Sequence, residues 1–167
     1  ALPKAMFRYK FSKSNEIRIN YNTATQVPSI NQLQNVVDNS NPLYLSAGNP
    51  ELLQQYNHTF NTRYNYTNSD KGRTFFALIN ATASQNYIAN STFIALQDTY
   101  LDNGVLLARG SQLSKPMNLS NYYSSRILLT YGFPVKYIKS NLNLTGGVNY
   151  QHSPGLINNI TNFSNSF

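Results

Sequence analysis

The side chains able to do chemistry are few and scattered. The two His, His58 and His152, lie far apart and form no H-x-x-x-H or H-E-x-x-H pattern, so no helical zinc pair is encoded. The absence of Cys removes thiolate metal sites, Cys nucleophiles and any disulfide framework. The six acids, Glu16, Asp38, Glu51, Asp70, Asp98 and Asp102, are spread over turns and loops. Loop carboxylates could in principle be brought together as a glycosidase pair, because the required separation is spatial. The spacing selects no such pair, and Asp70 and Asp102 sit beside Gly-containing turns, where Asp bonds to backbone. Gly146-Gly147 lies within a strand-like run, where Gly permits bending or close approach, and is not a phosphate loop. Eight N-x-S/T sequons occur, but a chain with 25 Asn generates many by chance. The sequence thus predicts no catalysis, no cofactor and no metal.

Basic residues outnumber acidic ones by 13 to 6, for a net charge of +7. They form no cluster and no basic helix, so nucleic acid is not an expected partner. Four of them share a different property. Arg8, Arg18, Arg63 and Arg126 all fall on the polar side of alternating runs. Such Arg could line a cationic lumen that contacts plug carboxylates or guides anionic solutes, or they could be paired or solvated structural residues.

The elements that must position these groups are strands. Phe7, Tyr9 and Phe11 alternate with Met6, Arg8 and Lys10; after Ser12–Asn15, Ile17, Ile19 and Tyr21 alternate with Arg18, Asn20 and Asn22. The same period of two returns over Tyr56–Tyr66, Phe75–Ser84, Tyr122–Tyr131 and Asn141–Tyr150. Between these runs the connections are alternately short (Ser12–Asn15, Thr67–Gly72, Pro134–Lys136) and long (Thr23–Gln54, Gln85–Asn121). Ser29–Val37 could make two helical turns with Ser29 as N-cap, and Asp102-Asn103-Gly104 marks a turn. Gln151–Phe167 reads as loop.

Charged residues are only 11% of the chain, with 41% hydrophobic and 13% aromatic, too few charges for an ordinary soluble surface. The longest apolar run, Phe75–Ile79, is far short of a spanning helix, and no signal peptide is visible. The rhythm of short turns, long loops and roughly 10-residue alternating strands fits an outer-membrane barrel. A secreted β-sandwich would show the same alternation, with its apolar face covered by a second sheet. Asn- and Thr-rich polar faces, and aromatics at strand ends (Tyr21, Tyr64, Tyr66, Tyr131, Tyr150), favour the membrane.

Several phrases carry a resemblance. Arg18-Ile-Asn-Tyr-Asn-Thr23 leads into Val27-Pro-Ser-Ile-Asn-Gln-Leu-Gln34. Asp38-Asn-Ser-Asn-Pro-Leu43, Gly48-Asn-Pro-Glu-Leu52 and Tyr56-Asn-His-Thr-Phe60 follow. Gly110-Ser-Gln-Leu-Ser-Lys-Pro-Met-Asn118, Tyr131-Gly-Phe-Pro134, Ile138-Lys-Ser-Asn-Leu-Asn143 and Ser153-Pro-Gly-Leu-Ile-Asn158 complete the series. Together they resemble the late barrel region of Bacteroidetes-type outer-membrane β-barrel proteins of the TonB-dependent receptor superfamily, over about Leu2 to Phe167.

The six alternating runs predict a fold that is all-β, an antiparallel up-and-down meander of about six strands, and the resemblance makes it part of a transmembrane β-barrel wall with long extracellular loops. Residues 1–167 would be a partial β-barrel domain, since a full receptor is a ~22-stranded barrel with a plug. Phe167 mimics a C-terminal aromatic, but Asn162–Ser166 lacks an alternating final strand. The implied activity is energy-coupled uptake of a bulky nutrient (a glycan, peptide or metal chelate) in the outer membrane of a Gram-negative bacterium. A soluble, surface-exposed β-sandwich module binding carbohydrate is the alternative. The implied partners are outer-membrane lipid, the rest of the barrel and its plug, the nutrient, and the inner-membrane energy-coupling protein reached through an N-terminal part absent from this chain. Arg8, Arg18, Arg63 and Arg126 would be the lumen-facing basic residues. Gln32, Gln34, Asn39, Tyr44, Asn49, Tyr100 and Asn103, in the long loops, would face the ligand.

Overall fold

The computed structural model describes residues 2–101 and 103–167. In chain order its elements are β1 (Lys4–Ser12), β2 (Asn15–Gln26), a helical turn α1 (Ile30–Leu33), β3 (Val37–Asp38), β4 (Tyr44–Ala47), β5 (Gln55–Asn68) and β6 (Arg73–Gln85). There follow β7 (Tyr87–Ile94), β8 (Thr99–Tyr100), β9 (Leu106–Leu107), β10 (Gln112–Leu119), β11 (Tyr122–Val135), a 3-10 turn (Lys136–Ile138), β12 (Ser140–Ile157) and β13 (Ile160–Ser166). The six alternating runs are the long strands, paired antiparallel as β1-β2-β5-β6-β11-β12. The expected six-strand meander is nonetheless corrected. The described residues form thirteen strands, and their main sheet is unclosed, because segments read as loop also pair.

Each missed strand has a local reason. β7 and β10 form an antiparallel pair from Tyr87↔Leu119 to Ile94↔Gln112, although β10 contains Pro116. That Pro is tolerated because β4 pairs with β10 only over Gln112–Ser114, so no β4 ladder bond is lost at Pro116. β12 runs on through the segment read as loop and turns back as β13 through Asn158 and Asn159, both at positive φ (47° and 65°). Two successive left-handed residues are what a tight hairpin turn requires, and Asn accepts that conformation better than most residues. The expectation that Asn162–Ser166 lacks a strand is corrected with it. Of the five described non-glycine residues at positive φ, four are Asn, so part of the Asn excess serves turns. The helix is one turn rather than two. Ser29 caps it reciprocally with Gln32, and its end is closed when Gly48 N–H donates to the Gln34 carbonyl (3.1 Å). Of the expected 102–104 turn, Asp102 lies outside the described residues; Gly104, at φ 80°, donates to the Leu101 carbonyl.

The three short turns lie at one end of the wall. They close at Ser12↔Asn15, Asn68↔Arg73 and Val135↔Ser140, and the registers of β2 with β5 and β6 with β11 bring these ends level. The long loops gather at the opposite end. The third turn falls at 136–139 because β11 continues through Tyr131-Gly-Phe-Pro. β6 has stopped pairing at Thr74↔Gly132, so Pro134 costs that ladder nothing.

Register carries one parity across the wall. Phe7, Ile19, Thr62, Ile79, Ile127 and Val148 are successive partners, as are Ile17, Tyr64, Ala77 and Leu129, and Phe75, Tyr131 and Leu144. Phe60 lies in the Tyr21–Ala81 row and Leu142 opposite Phe133. Phe7, Ile17, Ile19, Phe60, Phe75, Ile79, Ile127, Leu129, Leu142 and Leu144 therefore share one face, as the period of two within each strand requires. Phe7 and Leu144 are each 56% exposed there. No second sheet of the described residues covers them: strands that touch substantially are hydrogen-bonded neighbours, apart from β5 and β7. A sandwich interior is thus not formed.

The buried apolar cluster sits in the loops. Leu45, Ala95 and Leu107 pack with Val37, Leu101, Val105 and Leu113. β3, β4, β7 and β10 extend the main sheet in that region, and β8 and β9 form a separate ribbon. A side chain at Gly48 would collide with the Gln34 carbonyl oxygen, so glycine is required where the loop returns past α1.

Two outcomes follow. Ile127→Arg, on the apolar face, should cost ~2–4 kcal/mol in a bilayer if the site lies near midplane. Leu128→Arg, one residue on and facing the other way, should cost far less. Urea unfolding of the protein in liposomes measures both, and equal costs would reject the assigned sidedness. Gly48→Val should overpack the loop by ~1–3 kcal/mol and speed proteolysis within residues 27–54 while leaving the wall protected; unchanged cleavage there would show that the passage of Gly48 against Gln34 does not hold the loop.

Candidate functional site

The face opposite the apolar one is built from amides, hydroxyls and Arg. One row runs Lys4–Asn22–Thr59–Thr82–Ser124–Gln151, and the next Met6–Asn20–Asn61–Asn80–Arg126–Asn149. The third begins Arg8–Arg18–Arg63 before passing to Leu78, Leu128 and Gly147. Three guanidinium groups thus face each other directly across adjacent strands, an arrangement that repels unless compensated. Glu16 supplies the compensation. Arg8 Nη2 donates to Glu16 Oε2 at 2.6 Å, and Arg18 Nη2 donates to Glu16 Oε1 at 3.3 Å. Arg63 instead stands over the Phe76 ring, 5.8 Å from its centroid. Arg126, between Asn80 and Asn149, makes no ion pair among the described residues. Sequence parity places all four Arg on one face but leaves the Glu16 bridge invisible, because the bridge depends on the β1–β2 register.

The loop residues divide into four groups. Gln32 and Gln34 line a cleft of about 510 Å³ together with Asp38, Asn90 and Ser114. Gln32 is also the capping-box partner of Ser29, which it bonds through Oε1 (2.9 Å). In the same cleft the Asp38 carboxyl is held below its ordinary pKa by the Ser40 hydroxyl and backbone N–H. Tyr100 and Asn103 line a second cleft, of about 360 Å³, with Lys115. Asn39 and Tyr44 are exposed and line neither. Asn49 is occupied structurally: its Nδ2 donates to the Pro116 carbonyl (3.0 Å) and its Oδ1 accepts from Glu51 N–H (3.1 Å).

Sequence reasoning missed the residues that join the loops. Asn118 Oδ1 accepts from Leu53 N–H (2.7 Å), while its Nδ2 donates to the carbonyls of Leu53 and Asn86. Asn158 Oδ1 accepts from Ile94 N–H (2.7 Å). Buried Ser111 donates its hydroxyl to the Pro42 carbonyl (2.9 Å). Asn118 and Asn158 end two of the recognised phrases, Gly110–Asn118 and Ser153–Asn158, which was the available signal. Both His lie in the aromatic border of the apolar face. His58 Nδ1 contacts the Tyr21 hydroxyl and His152 Nδ1 the Asn165 amide oxygen, each at 2.7 Å. Among the described residues no three His, Asp or Glu converge as metal ligands.

A one-sided apolar wall, aromatic borders and a polar Arg-bearing face define an outer-membrane β-barrel wall. The chain matches, over residues 1–167, the family described as Outer membrane protein beta-barrel family, and it belongs to that family. Its location is accordingly the outer membrane of a Gram-negative bacterium. No curated protein matches the chain.

The Glu16 bridge yields a prediction. Glu16→Gln should lower the urea midpoint in detergent micelles, and adding Arg18→Gln should recover part of the loss, because the second change removes a charge that has become uncompensated. Strictly additive losses in the double variant would show that Glu16 does not offset the Arg row.

Proposed function

We propose that this chain forms part of the barrel wall and surface loops of a TonB-dependent receptor that imports a bulky nutrient such as a glycan, peptide or metal chelate. The observation that carries the reading is the folded loop assembly. The two long loops share a buried cluster and cross-loop amide bonds instead of trailing as separate coils. An organised platform with amide- and Tyr-lined clefts above a polar wall suits capture of a large polar solute before passage. The resemblance of the loop phrases to that superfamily points the same way.

In this reading the polar face lines the lumen, where Arg126, which makes no ion pair among the described residues, can meet solute or plug carboxylates. The partners are outer-membrane lipid, the remaining strands and plug of the same barrel, and the inner-membrane energy-coupling protein. No catalytic role is proposed, since both His are engaged in the lipid-side border.

The test is genetic. The gene is disrupted in its native host, as is the energy-coupling gene, and growth is compared on glycans, peptides and metal chelates as sole sources. Both disruptions should abolish use of the same nutrient, with rescue by the intact gene. Uptake that persists without the coupling protein, or after collapse of the proton-motive force, would mean a passive pore and reject the reading.

A further inference from the structure

The charge of the molecule is distributed unevenly between its two ends. Among the described residues Lys10, Lys13, Lys71, Arg73, Lys136 and Lys139 cluster at the short-turn end, against Glu16 and Asp70. In the long-loop assembly the described charges are Arg109 and Lys115 against Asp38, Glu51 and Asp98. Three of the turn-end cations converge. Lys71, Arg73 and Lys136 line a cleft of about 780 Å³ between the β5–β6 and β11–β12 turns, with Asp70 as its one carboxylate. The turns touch there: a Cβ on Gly72 would sit 3.4 Å from the Pro134 ring. None of the three cations makes an ion pair among the described residues.

The face on which the cleft opens decides its ligand. Arg73 pairs with Asn68, two residues beyond Tyr66, and precedes Phe75 by two, so it has the parity of the apolar face. Phe133 and Tyr131 share that face, with ring centroids 5.6 Å apart, and they line the same cleft. Tyr137, in the turn, is wholly exposed at its rim. A cationic cleft on the lipid-facing side, at the turn-end edge of the apolar band and edged by aromatics, lies at headgroup depth. Short turns of outer-membrane barrels face the periplasm, so the adjoining leaflet is phospholipid.

We propose that Lys71, Arg73 and Lys136 form a binding site for the phosphate of an anionic phospholipid of that leaflet, with Phe133 and Tyr137 flanking its glycerol and upper acyl region. The site lies outside the transport path and does not depend on which nutrient is carried. Arg73 supplies the planar donor fork and the two Lys supply point charge. With Asp70 as its carboxylate the cleft keeps net positive charge, enough to hold a monoanionic phosphodiester, and Phe133 and Tyr137 add the apolar contact that a soluble phosphate cannot use.

The experiment is native mass spectrometry of the native-length protein, titrated in micelles with phosphatidylglycerol, phosphatidylcholine or glycerol phosphate. One phosphatidylglycerol should be held in preference to phosphatidylcholine, and salt should weaken that preference. Lys71→Gln/Arg73→Gln/Lys136→Gln should weaken it by about 10–100-fold, whereas Arg109→Gln/Lys115→Gln in the loop assembly should leave it intact. Should the triple variant misfold, judged by heat-modifiable mobility, Arg73→Lys and Arg73→Gln replace it; Lys should retain most of the binding and Gln lose it. The proposal is overturned if a folded triple variant binds phosphatidylglycerol as the parent does. It is also overturned if glycerol phosphate competes equally well, which would make this a soluble-phosphate site, or if the loop-end pair loses as much affinity as the triple variant.

Discussion

Everything in this structure depends on the antiparallel ladder keeping one parity across its wall. A strand turns alternate side chains to opposite faces, so slipping one strand by a single residue would exchange its apolar and polar sets. Here the slip would carry Arg8, Arg18, Arg63 or Arg126 to the side occupied by Phe7, Ile19, Ile79 and Ile127. In hydrocarbon that exchange is costly, and backbone groups cannot be left unpaired. The wall therefore gains its uniqueness from lipid on one side and polar solvent on the other, with little help from an interior. This explains why large apolar side chains stay exposed across six strands while the buried apolar cluster sits elsewhere.

The loops solve the opposite problem. Outside the bilayer they must satisfy their backbone and exclude water by themselves. They do so with the cluster around Leu45, Ala95 and Leu107 and with amides that bond to backbone far away in sequence. Asn serves twice over, through side-chain bonds of this kind and by accepting left-handed backbone at Asn86, Asn121, Asn158 and Asn159. The recognised phrases Gly48–Leu52 and Gly110–Asn118 are thereby explained as joints. Gly48 lets the chain pass against Gln34, Asn49 reaches Pro116, and Asn118 ties Leu53 to Asn86. A platform fixed in this way presents its clefts in a constant arrangement, which is what a binding surface needs and a flexible loop lacks.

Sequence alone determined the six long strands, the side on which each residue lies and the common end of the short turns, because period two is a local property that needs no knowledge of partners. It also located Ser29 as a cap, since capping is settled within one turn. Tertiary structure decided the rest. β7 and β10 pair only because the chain brings them together, and Pro116 is harmless there only because β4 ends first. The reversal into β13 rests on two Asn that a reading by alternation passes over. Whether a loop amide faces solute or holds the scaffold could not be read locally either: Gln34 and Tyr100 line clefts, whereas Asn49 is consumed by its own bonds. The Arg row shows the division most sharply. Alternation puts Arg8, Arg18 and Arg63 on one face, but only interstrand register sets them opposite each other and places Glu16 where it can bridge two of them, because the energy of a charge depends on distance and distance here is fixed by pairing.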